Sequence, residues 1–91
     1  MNTENKPNLN ESLVILSEEC GEVVQECCKI LRFGMTEDNR ERLEKEIGDV
    51  MCLFEYLSDR GYIDWAEVAL RVPIKQEKLT RYSSLYETNN S

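Results

Sequence analysis

The chain has 91 residues, with 18 acidic against 11 basic side chains, no histidine and a formal charge of −7. That balance repels phosphate polymers and anionic lipid, which argues against nucleic acid polymers and membrane surfaces as partners. A domain of this length buries only about 60–65% of the surface its unfolded form exposes, so pairing with a second copy would strengthen a marginal core.

Met1 to Asn8 is polar and lacks the hydrophobic region of a signal peptide, and no run of about 18 apolar residues exists in the chain. A cytoplasmic location is therefore expected. Residues 1–8 and 87–91 show no periodicity and read as disordered tails around a single helical domain over 9–86.

From Leu9 the apolar residues run Leu13, Leu16, Cys20, Val23, Cys27 and Ile30, in alternating steps of four and three. This predicts a long helix, with Asn8 or Asn10 as its cap and Gly34 just past its end. Leu43, Ile47, Val50, Phe54 and Leu57 repeat the spacing up to Gly61, with Thr36 or Asn39 as cap. A loop of roughly five residues between two such helices predicts an antiparallel hairpin. Asp64 followed by Glu67 has the capping-box pattern and opens a third helix carrying Trp65, Val68, Ala69 and Val72. Pro73 should kink that helix or start a new short one running to about Tyr82. The fold class is all-α, and the stripes on both long helices suggest that two copies pair into a four-helix bundle.

Four cysteines, Cys20, Cys27, Cys28 and Cys52, form no Cys-x-x-Cys pair, and without histidine they complete no zinc site. They are expected to be free and buried, and Cys20 and Cys27 fall in the apolar stripe, where cysteine acts as a small hydrophobe.

Glu19 and Glu22 are three residues apart on the first helix, and Glu46 and Asp49 repeat that spacing on the second. Both pairs fall near mid-helix, so a hairpin can bring four carboxylates into one small volume. Their mutual repulsion calls for a divalent cation. An all-oxygen set suits a hard ion, Mg²⁺ first and Mn²⁺ second.

Glutamates on a helix more often simply solvate a face, and for the second helix ordinary ion pairs are at hand: Glu41 with Lys45, Arg42 with Glu46, or Lys45 with Asp49. The first helix fits that explanation badly. Glu11, Glu18, Glu19, Glu22 and Glu26 face a single base, Lys29, and Gly21 between two glutamates leaves room for a close approach. Downstream, Arg71, Lys75, Lys78 and Arg81 form a basic stripe that suits either a solvated face or triphosphate oxygens.

The chain resembles the MazG-type all-α nucleoside triphosphate pyrophosphohydrolases. Leu16-Ser17-Glu18-Glu19-Cys20-Gly21-Glu22 is similar to the family's Glu-Glu-x-Gly-Glu motif, and Glu46-Ile47-Gly48-Asp49-Val50 to its Glu-x-x-Asp motif. Lys75, Lys78, Leu79 and Tyr82 resemble the lysine-containing segment that follows. The likeness spans roughly Leu13 to Tyr82.

It implies Mg²⁺-dependent hydrolysis of a (d)NTP to the monophosphate and pyrophosphate, in nucleotide pool clean-up, by a homodimer or homotetramer. On this reading Glu19, Glu22, Glu46 and Asp49 ligate the metal, Glu18 or Glu19 positions water or acts as base, and Lys75, Lys78 and Arg81 hold phosphates. The competing class of function is a non-catalytic helical dimer that binds a partner or regulates one. A di-iron bundle is disfavoured, since its Glu-x-x-His element needs a histidine.

Overall fold

The computed structural model describes residues 7–86. These form three helices, α1 (Pro7–Phe33), α2 (Glu37–Asp59) and α3 (Trp65–Tyr82), and no strand among the described residues. The first helix begins at Pro7, earlier than its apolar stripe, because proline's fixed φ suits the first helical position, where an N–H would find no partner anyway. Asn8 and Asn10 are thus helical rather than caps, and the rest of the expected tails, 1–6 and 87–91, lies outside the described residues.

At the end of α1, Gly34 adopts a left-handed φ of 94° and its N–H donates to the Ile30 carbonyl at 2.7 Å. The connection is only residues 34–36, shorter than the pattern suggested. Thr36 caps α2 by accepting from the Asn39 N–H at 3.1 Å, while the Asn39 side-chain amide reaches back to the Gly34 carbonyl at 2.9 Å. One short turn is therefore fastened from both sides, which sets the register of α1 against α2.

Asp64 caps α3 by accepting from the Ala66 N–H at 3.0 Å. The helix runs through Pro73 without a break, so no new helix starts there. Proline removes the donor that would reach the Ala69 carbonyl, and since every α3 residue except Leu79 is exposed, water is at hand to replace it.

The core lies between α1 and α2, where Val50 and Leu57 are buried, Leu57 to 3% exposure. A hairpin covers only one side of each stripe. Leu13 and Ile47 therefore stay exposed, and all four cysteines are free and exposed, correcting the expectation of buried thiols. Helix α3 buries no residue and touches the hairpin mainly where it begins, at Trp65, which borders a cleft with Glu55, Ser58 and Asp59.

The radius of gyration is 16.6 Å, against about 12 Å for a compact chain of this length. The accessible surface is 7066 Å², against about 5,500 Å² for a compact monomer of this mass. Among the described residues, no helix is long and apolar enough to cross a membrane.

Candidate metal centre

The turn register brings Glu19 of α1 opposite Glu46 and Asp49 of α2. All three are half-buried, and each offers a carboxylate oxygen such that the three atoms lie within 4.8 Å of one another. They sit in an open groove of about 580 Å³ whose other walls are Glu18, Glu22 and Lys45. Five carboxylates thus share one cavity with one ammonium.

That crowding is visible in protonation. Partial burial raises the Glu19 carboxyl above its ordinary value, and the negative charges of Asp49, Glu46 and Glu22 raise it further, against the opposing pull of Lys45. Lys45 bridges the two α2 acids, with Nζ 3.3 Å from Asp49 Oδ2 and 3.5 Å from Glu46 Oε2. Its own pKa is raised, chiefly by the hydrogen bond to Asp49. An exposed lysine is a partial counter-ion that can be displaced.

Of the four expected ligands, Glu22 is the one outside the tight group: it is exposed and borders the same groove. Glu18 is also at the rim and makes no hydrogen bond or ion pair among the described residues. An oxygen-only set without nitrogen or sulfur donors fits a hard divalent ion, and the three half-buried groups leave coordination positions open toward the groove.

Of the ion pairs that the spacing suggested on α2, Lys45 with Asp49 forms, whereas Arg42 turns away from Glu46 to Asp38, at 3.0 Å, and Lys45 does not pair with Glu41. Both choices leave Glu46 within the acidic group. Glu26, one heptad from Glu19, is buried, with Oε2 3.4 Å from Lys29 and Oε1 without a hydrogen-bond partner among the described residues.

A family model for the MazG nucleotide pyrophosphohydrolase domain matches residues 8–81. The chain belongs to this family. No curated protein and no solved structure matches it.

In this MazG domain the basic residues on α3 do not line the acidic groove. Lys75 and Lys78 are exposed on a helix that packs little against the hairpin, and Arg81 Nε is 3.2 Å from Glu77 Oε1. At about 100° per residue, Arg81 lies about 120° around the helix from Lys75, so the stripe is really Arg71, Lys75 and Lys78. Gly21 faces open space, with nothing within 4 Å of where a Cβ would stand, so no backbone among the described residues makes the close approach expected there. Sequence reasoning underrated Lys45, whose i,i+4 spacing to Asp49 was its only signal.

Proposed function

We propose that this MazG domain is a Mg²⁺-dependent nucleoside triphosphate pyrophosphohydrolase, converting (d)NTP and water to (d)NMP and pyrophosphate. The observation that carries the reading is the convergence of Glu19, Glu46 and Asp49 oxygens within 4.8 Å on facing helices. Glu22, at the edge of the groove, is the fourth ligand. A divalent ion held there supplies charge neutralisation for the phosphates and acidifies a water molecule.

The protein's own part is to bind, orient and move a proton. Water attacks phosphorus at the α–β anhydride, the bond to the bridging oxygen breaks, and pyrophosphate departs. Because Glu19 belongs to the tight group, Glu18, outside that group, is the better placed of the adjacent pair to take the water's proton.

Lys75 and Lys78 hold the non-reacting phosphates, joined by Arg81 once it leaves Glu77. Their helix stands off its own hairpin, so they serve the groove of another copy in a homodimer or homotetramer built on a four-helix bundle. The large accessible surface and the exposed Leu13, Ile47, Met51, Val68 and Val72 favour such an assembly, since a standard interface removes about 800 Å² from each partner. The place for this activity is the cytosolic nucleotide pool.

Pyrophosphate release from a panel of NTPs and dNTPs, with and without Mg²⁺, tests the reading. Turnover that needs the metal supports it. No release from any triphosphate, with no thermal stabilisation by Mg²⁺, would leave the non-catalytic helical dimer in its place.

A further inference from the structure

A second cleft of about 270 Å³ opens between the same two helices, lined by Asn8, Glu11, Ser12, Ile15, Cys52, Leu53 and Tyr56. Its register against the acidic groove is regular. Glu11, Ser12 and Ile15 stand seven residues before Glu18, Glu19 and Glu22, and Cys52, Leu53 and Tyr56 stand seven after Lys45, Glu46 and Asp49.

Seven residues are two helical turns, about 10.5 Å along the axis with almost no rotation. The two clefts are therefore one interhelical groove, acidic at mid-hairpin and largely apolar toward its open end. Such a displacement is suited to a molecule with a phosphate chain at one end and a flat aromatic ring at the other, joined by a sugar.

We propose that this cleft takes the nucleobase of the triphosphate, and that Glu11 selects guanine. The assignment rests on the nucleotide reading above. At 270 Å³ the space is at the small end for ligand sites and suits a ring system rather than a whole nucleotide. Ile15 and Leu53 supply apolar wall, and Tyr56 an aromatic one whose ring is held by the Arg60 guanidinium, 4.7 Å from its centroid.

Ser12 Oγ donates to the Leu9 carbonyl at 2.8 Å, so its hydroxyl proton is already used. Glu11 makes no hydrogen bond or ion pair among the described residues. An ionised carboxylate offers two acceptor oxygens and no donor. Guanine alone of the common bases presents two adjacent donors, its ring N1–H and exocyclic amino group, to such a pair. Adenine and cytosine place a ring-nitrogen acceptor beside their amino group, and thymine and uracil flank one N–H with two carbonyls, so each would set a lone pair against the carboxylate.

The test is kcat/KM for Mg²⁺-dependent pyrophosphate release from dGTP, dATP, dCTP and dTTP, with calorimetric binding of the four dNMP products, on wild type and Glu11→Gln. Wild type is expected to favour dGTP by on the order of 10- to 100-fold, a bidentate pair's worth of discrimination. Glu11→Gln, which offers one donor and one acceptor, should move the preference toward dATP, with the change mostly in KM. Another preferred base in the wild type, or an unchanged ratio in the variant, while some triphosphate is still cleaved, overturns the base assignment and leaves the hydrolase standing. Failure to bind or cleave any of them overturns both.

Discussion

The hairpin and the third helix carry sequence signals of the same kind, yet only the hairpin resolves them within one chain. In α1 and α2 the apolar stripe buries Leu57 and Val50, and the acidic spacing becomes a three-oxygen group. In α3 an equally regular stripe of Trp65, Val68, Val72 and Leu79 meets no other element among the described residues along most of its length, and the basic residues beside it reach no acid of the groove. A three-residue turn makes the difference. It fastens α2 against α1, whereas the longer link through Tyr62 and Ile63 lets α3 depart from the hairpin. The comparison teaches that an amphipathic helix specifies a need for burial without specifying which surface supplies it.

The sharpest way to break the contrast is to remove the chemistry from the hairpin. Asp49→Ala should lower pyrophosphate release by on the order of 10³-fold or more, since metal stabilisation is worth several kcal/mol. Helicity by circular dichroism should stay, and the rise in melting temperature on Mg²⁺ titration should vanish. Glu22→Ala should behave alike; retained turnover in either variant refutes the ligand assignment.

Packing comes next. Leu57→Ala, in the buried seam, should cost about 2–4 kcal/mol in a denaturant melt, while Val72→Ala on α3 should cost less than about 0.5 kcal/mol in dilute solution. If a second copy covers α3, the Val72 cost grows with protein concentration.

Complementation asks where α3 acts. Asp49→Ala and the double change Lys75→Ala with Lys78→Ala are each expected to be inactive alone. Mixed at equal amounts and refolded together, they should regain about a quarter of wild-type activity, because one site in each mixed dimer draws every group from intact surfaces. No recovery would mean that α3 serves its own hairpin.

Smaller effects concern the groove itself. Gly21→Ala meets open space and should raise stability by about 0.5–1 kcal/mol, yet slow turnover if ligand approaches the backbone there. The raised Glu19 carboxyl gives a pH signature. Protonation relieves its repulsion, so this group's contribution to metal-free stability is complete below its ordinary value of 4.5 and is lost as pH rises through the raised one. Mg²⁺ binding needs the carboxylate and must run the other way, weakening as pH falls through that window. Comparing melting temperatures of wild type and Glu19→Gln from pH 7 to pH 4.5, with and without Mg²⁺, checks both signs.

Local chemistry made much of this protein legible from residues alone. The four-three spacing, Gly34, Thr36 and Asp64 mark the helices and several of their ends because each acts within a turn or two of itself. The acidic pairs were legible for the same reason, three residues being one helical turn. The turn register is a long-range fact: it decides that Glu19 meets Glu46 and Asp49 while Glu22 stays at the rim, and that Arg42 chooses Asp38. Tertiary structure alone decided that Pro73 would sit in an unbroken, solvent-bathed helix, that the cysteines would lie exposed, and that the acidic groove would continue into an apolar cleft one heptad away. Those outcomes depend on which surfaces remain uncovered, and coverage is a property of the packed chain rather than of any window within it.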